Sequence, residues 1–242
     1  MFGVINVITK RPEQTKGNLF SFTGGEKGIL MSSFITSGAV EDYLSYRVSL
    51  GWDQRDNWDY IAWSTDPVNK HLRLGTTMDY SIDDNSEVRL FAAYIDLEEK
   101  QGLLESTGAI DWGDSASYNT SLAYASKEPN LMLRVFWQQK DMLKNGWTFG
   151  ERNLSLLEAR TGVQFQHIWQ PWERNVLVWG ADYTQTDIRA DMVGGKRRHD
   201  LSGVFADNTY KLLDELSLNS GLRYDHHPNT GGTLSHRLST IY

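Results

Sequence analysis

The chain has 242 residues, a formal net charge of −7 and no cysteine, with a mean hydropathy of −0.48. These values exclude disulfide frameworks, thiolate metal sites and thiol nucleophiles, give no reason to expect nucleic acid as a partner, and leave no stretch near the roughly 18 apolar residues of a membrane-spanning helix. A transmembrane β-barrel stays open, because its strands need only alternate residues to be apolar, and 9 Trp and 11 Tyr supply amphipathic rings of the kind that favour membrane–water boundaries.

The chain begins with Met1-Phe2 and runs directly into a short apolar segment, Gly3-Val4-Ile5-Asn6-Val7-Ile8-Thr9-Lys10-Arg11-Pro12. Val4, Ile5, Val7 and Ile8 form a β-branched run, and Pro12 stops it because proline cannot continue a ladder. No signal peptide precedes the run, so Met1 reads as an internal methionine of a longer parent. About twelve strands follow by period-two alternation. Leu44, Tyr46, Val48, Leu50 and Trp52 share one face, opposed by Ser45, Arg47, Ser49, Gly51 and Asp53. Leu72, Leu74, Thr76, Met78 and Tyr80 oppose Arg73, Gly75, Thr77 and Asp79. The same pattern sets Leu131, Leu133, Val135 and Trp137 against Arg134 and Gln138, and Thr161, Val163 and Phe165 against Arg160, Gly162 and Gln164. Val176, Val178 and Phe91 break it by falling on the polar phase. Near the end, Leu216, Leu218, Leu222 and Tyr224 oppose Ser217, Asn219, Gly221, Arg223 and Asp225.

Short turns are predicted at 39–42, 83–86, 127–130, 170–174 and 212–215, alternating with longer polar stretches at 54–67, 98–113, 142–152, 187–196 and 226–232. Short periplasmic turns alternating with longer extracellular loops is how outer-membrane barrels join their strands. Arg47, Arg73, Arg134, Arg160 and Arg223 all lie on the polar phase. An arginine on the lipid face at mid-membrane costs about 2–4 kcal/mol, whereas in a wet lumen it costs little. Five such costs would outweigh a folding free energy of roughly 5–15 kcal/mol. The apolar phase therefore reads as lipid-facing and the arginine phase as lumenal. A soluble antiparallel sheet with one wet face produces the same alternation and stands as the alternative.

Three stretches resemble TonB-dependent outer-membrane receptors. Residues 3–12 are similar to the strand that closes the plug domain and hands the chain to the barrel. Leu201-Ser202-Gly203-Val204-Phe205-Ala206-Asp207-Asn208-Thr209-Tyr210, with Leu216-Ser217-Leu218-Asn219-Ser220-Gly221-Leu222-Arg223-Tyr224-Asp225, resembles a mid-barrel hairpin of the family. It departs in having Asp207-Asn208 where Gln-Asp is usual and Tyr210 where Trp is usual. Residues 234–242 resemble the next strand, with His236 where proline is common. The resemblance implies an all-β, antiparallel transmembrane β-barrel in which residues 1–12 are the C-terminal remnant of a plug and residues 13–242 the N-terminal part of the barrel. That is about half of the 22 strands of a plugged barrel, a fragment. It further implies uptake of a scarce ligand, foremost a ferric siderophore or similar iron complex, with no enzyme activity and no cofactor. Energy would arrive from the TonB complex through a region N-terminal to this chain. The surroundings would be outer-membrane lipid and lipopolysaccharide of a Gram-negative cell.

Candidate binding residues are few. Trp58, Tyr60 and Trp63 in the 54–67 stretch are placed to stack on a small extracellular ligand or to join an aromatic girdle. Lys196, Arg197 and Arg198 form a basic cluster in a predicted extracellular loop, suited to lipopolysaccharide or an acidic ferric chelate. His226 and His227 offer imidazoles for a metal, but neighbours on an extended chain point to opposite faces. No G-x-S-x-G elbow, H-E-x-x-H motif or P-loop is present, which argues against an enzyme. Two other readings remain: a passive porin-like channel, disfavoured by the plug-like opening string, and a soluble β-sandwich binding module.

Overall fold

The structure is a computed structural model that describes residues 10–26, 28–56, 68–102, 110–146, 152–190 and 195–242. After a short 3-10 helix, Pro12–Thr15, the chain forms twelve strands. These are β1 (Gly17–Gly24), β2 (Leu30–Val40), β3 (Leu44–Asp56), β4 (Val68–Ser81), β5 (Ser86–Gly102), β6 (Ile110–Ser126), β7 (Asn130–Gly146), β8 (Arg152–Trp172), β9 (Asn175–Ala190), β10 (Gly195–Lys211), β11 (Ser217–His227) and β12 (Gly231–Ile241). All lie in one sheet in the order β1 to β12, each antiparallel to its sequence neighbours. Every connection is therefore a hairpin, and the fold is a single up-and-down layer with β1 and β12 as its edges.

The register confirms the faces read from alternation. Val48 pairs with Thr76, Leu50 with Leu74, Leu133 with Phe165 and Val163 with Tyr183, all on the apolar phase. Arg47 pairs with Thr77 and Gly51 with Arg73 on the other phase. The 3-10 helix packs on this second face, which we call the inner one. Burial across the sheet is inverted relative to a soluble sheet. Inner polar residues are covered, Asp53 to 2% and Ser45 to 8% exposure, while outer Leu50 and Leu122 are 44% and 51% exposed. No second layer covers the apolar side among the described residues. Such a surface contradicts a soluble sandwich, which would bury it, and matches a wall whose outer face meets hydrocarbon.

Aromatics band the outer face. Near the short turns lie Tyr43 and Tyr80, edge to face at 6.0 Å, with Tyr124, Trp169, Trp172 and Tyr210 further round the sheet. A second group, Tyr94, Tyr118 and Trp137, runs ring to ring at 5.0 and 6.3 Å. Tyr118 and Tyr124 stand six residues apart on β6, roughly 20 Å along the strand, close to the ~25 Å height of an apolar membrane band.

The short turns fall at 41–43, 82–85, 127–129, 173–174 and 212–216, within three residues of the predicted positions. The opposite connections are shorter than predicted. Strands take 98–102 and 110–113 of the 98–113 stretch, 142–146 and 152 of 142–152, 187–190 and 195–196 of 187–196, and 226–227 and 231–232 of 226–232, while 103–109, 147–151 and 191–194 lie outside the described residues. Side-chain alternation stops where the apolar band stops, but backbone pairing does not depend on side-chain polarity. The ladders therefore continue as wet hairpins beyond it.

Candidate functional site: the inner wall

Five arginines read as lumenal from sequence sit on the inner face, and four have a partner there. Arg73 donates to Asp53 at 2.6 Å, and His71 Nδ1 lies 2.9 Å from the same carboxylate. Arg160 pairs with Glu158 at 3.1 Å. Arg223 reaches Asp225 on its own strand and Asp182 two strands away at 2.9 Å. Between Arg223 on β11 and Asp182 on β9 lies Gly203 of β10, where a Cβ would come within 2.5 Å of the guanidinium. The same device recurs one strand on: Arg237 of β12 crosses Gly221 of β11 to reach Asp207 of β10 at 3.1 Å. The glycines thus clear a path for bridges spanning three strands.

Arg47 is satisfied differently. Its guanidinium donates to the carbonyl of Arg11 at 3.2 Å and to the hydroxyls of Thr15 and Ser37. Ser45 donates to Glu13 at 3.0 Å, and Arg11 makes a two-pronged contact with Glu87 on β5 at 2.8 and 3.2 Å. Residues 11–15 are therefore laid across the inner face of β2 to β5 and held by polar contacts. Pro12 is fully covered in this seat.

Two hollows accompany this wall. One, about 730 Å³, lies among the short turns and is lined by Arg11, Glu41, Asp42, Asp84, Glu87 and Lys127 among others. The other, about 390 Å³, lies on the inner face of β7 to β10 and is lined by Arg134, Phe136, Gln138, Arg160, Gln164, Thr184 and Leu201. Arg134, the fifth of the inner arginines, lies over the Phe136 ring at 5.7 Å. Among the described residues it has no carboxylate partner.

The residues singled out from sequence fare unevenly. Trp58, Tyr60 and Trp63 lie outside the described residues. Lys196, Arg197 and Arg198 are not in a loop, as predicted, but open strand β10. Because β-strand side chains alternate, the cluster divides. Lys196 and Arg198 lie on the outer face, paired in register with Arg189 and Asp187, while Arg197 pairs with Ile188 on the inner one. Arg198 bonds Asp200 at 3.2 Å, and Lys196 stands 3.5 Å from Asp187. His226 pairs with Ser202 on the outer face, and His227 lies on the inner face stacked against His199 with ring centroids 6.2 Å apart. The two cannot share one ion, and no group of three or more metal-ligating side chains occurs among the described residues. Sequence reading missed the Arg–Gly–Asp bridges. Their signal was the recurrence of glycine on the arginine phase, which alternation alone cannot distinguish from a mere absence of side chain.

A one-layer antiparallel wall with an apolar outside and an ion-paired inside defines a transmembrane β-barrel class of protein. A family model for the TonB dependent receptor-like β-barrel matches residues 18–242, and the chain belongs to that family. Among solved structures it is similar to the siderophore receptor PirA from Pseudomonas aeruginosa. The identity is 17% over 98% of this chain and 42% of that one, with a TM-score of 0.72. The ferric yersiniabactin uptake receptor FyuA from Yersinia pestis is 15% identical over 96% of this chain and 44% of that one, with a TM-score of 0.70. The copper transporter OprC is 16% identical over 92% and 40%, with a TM-score of 0.67. The chain thus spans about two fifths of the length of these structures. No curated protein sequence matches it.

Proposed function

We propose that this chain is part of the barrel wall of an outer-membrane receptor that imports a scarce ligand with energy delivered by TonB, and that the ligand is a ferric siderophore or a comparable iron complex. The observation that carries the reading is the inverted wall: leucines and valines outside, arginine–carboxylate pairs inside, and residues 11–15 seated across the inside. A passive pore has no need of a segment strapped over its lumenal arginines, so this seat favours the energised receptor over the porin alternative. Membership of the family supports the transport class. The siderophore assignment is supported by two of the three structural relatives, one named a siderophore receptor and the other a ferric yersiniabactin uptake receptor.

In this reading, Lys196 and Arg198 at the loop end of β10 face lipopolysaccharide phosphates, and Trp58, Tyr60 and Trp63 meet the ligand outside the cell. The TonB complex acts through sequence N-terminal to the wall. The test is uptake of a panel of radiolabelled ferric siderophores by iron-starved cells carrying the receptor, with and without TonB, alongside fractionation of the envelope. TonB-dependent uptake and sedimentation with the outer membrane are the expected results. Recovery of the protein in the soluble fraction, or uptake indifferent to TonB for every chelate, would overturn the reading.

A further inference from the structure

Most arginines on the inner wall have an acceptor there. Arg73, Arg160, Arg223 and Arg237 each have a carboxylate on the wall. Arg89 likewise has Asp79 at 2.6 Å. Arg47, with no wall carboxylate, is given a carbonyl and hydroxyl by residues lying inside the sheet. Arg134 has neither. It is half-buried, so part of its hydration is lost, and a guanidinium in that position gains most from an anionic acceptor.

Its surroundings are built to receive one. Arg134 pairs in register with Gln164, Phe136 with Gly162, and Gln138 with Arg160. At Gly162 a Cβ would lie 2.4 Å from the tip of the Phe136 ring, so this glycine is what lets the ring lie flat along the wall. The flat ring forms a floor, with Arg134 and Gln164 on one side and Gln138 and Arg160 on the other. Arg160 has Glu158 as its partner at 3.1 Å, so its charge is partly neutralised and Arg134 is the principal cation. Thr184 and Leu201 complete a hollow of about 390 Å³. It combines one unpaired guanidinium, two carboxamides and an apolar surface.

We propose that this hollow is a subsite for a carboxylate carried on an apolar carbon body, with Arg134 binding the carboxylate and the Phe136 ring packing against the body. The inference deepens the receptor reading and rests on it for the face being lumenal. Two sources supply this chemistry: a diffusible aromatic carboxylate passing along the wall, or an Asp or Glu side chain of polypeptide lying in the lumen, as Arg47 already has polypeptide against it.

The experiment uses the receptor as expressed in outer membranes and purified in detergent, with folding verified by heat-modifiable mobility, so that failure of the barrel reading registers separately. In the first arm 4-fluorobenzoate is titrated at low salt and followed by ¹⁹F line broadening, with neutral 4-fluorobenzamide as control. The second arm treats Arg134→Lys protein with a carbodiimide and maps amide crosslinks at position 134 by mass spectrometry. A diffusible source gives saturable binding of the benzoate, weaker by tenfold or more for the benzamide and for Arg134→Gln, and less affected by Phe136→Leu. A polypeptide source gives little benzoate binding but a crosslink from position 134 to one Asp or Glu. Equal binding of benzoate and benzamide, benzoate binding unchanged by Arg134→Gln, or no binding together with no crosslink overturns the proposal.

Discussion

Asp83 Oδ1, in the 82–85 turn, accepts hydrogen bonds from the Ser86 hydroxyl at 2.6 Å and from the N–H groups of Asn85 and Ser86 at 2.8 and 2.6 Å. These bonds, the hydroxyl first, hold its carboxyl below the usual carboxylate range. A depressed folded pKa contributes stability that is present above the unfolded value of about 3.9 and is lost as pH falls through the folded one. Ser86→Ala removes the largest cause. The Asp83 titration, followed by carboxyl carbon shifts, moves up toward the ordinary value, and an unchanged titration would refute the assignment. The neighbouring turn contains Glu41 at φ 50°, a conformation that costs an ordinary L residue roughly 1 kcal/mol and that Asn tolerates better. Glu41→Asn accordingly raises the unfolding midpoint by an amount equivalent to less than about 1 kcal/mol. The turn itself was legible in the sequence, since Glu41-Asp42 separates two alternating runs. Its left-handed residue was not, because nothing in the residue type marks Glu for positive φ.

Hairpins are joined to one another by more than their ladders. The Asn85 carboxamide accepts from the N–H of Glu128 at 2.8 Å and donates to the carbonyl of Glu128 at 2.7 Å. A side chain thereby acts as one more rung between the 82–85 and 127–129 turns. Lys127 adds its own N–H to the Asn85 carbonyl and its ammonium to the Asp84 carbonyl. Asn85→Ala removes two hydrogen bonds whose backbone partners water can reach, so the loss is about 1 kcal/mol. Denaturant unfolding in detergent checks it, and Asn85→Asp, which keeps the acceptor only, falls between wild type and Ala. On the inner face the Arg223–Asp182 bridge depends on the bare backbone of Gly203. A double-mutant cycle of Arg223→Met and Asp182→Asn shows coupling of up to about 1 kcal/mol. The coupling vanishes in a Gly203→Ala background, and persistence there would show that the bridge does not need the glycine. Sequence alternation placed Arg223 on the polar phase but could not bring it together with Gly203 and Asp182 of two other strands, because register is a pairing property that no single strand carries.

For the whole wall, the decisive quantity is which solvent each face meets. Val163 is outward and Asn119 inward by register. Val163→Arg costs about 2–4 kcal/mol of folding free energy in lipid vesicles, whereas Asn119→Arg costs less than about 1. Equal costs would remove the lipid-facing assignment. Among what the sequence alone determined are the all-β class, the number of strands, the identity of the two faces and the positions of the short turns. These follow from a period of two and from turn residues, which are properties of neighbours along one chain. Only the tertiary structure decided how far the hairpins rise beyond the apolar band, that the Lys196–Arg198 cluster splits between faces, that residues 11–15 occupy the inner wall, and that Arg134 has no carboxylate partner among the described residues. Each of these depends on which distant strand lies alongside and on what that strand already neutralises, and both quantities exist only once the sheet has closed its register.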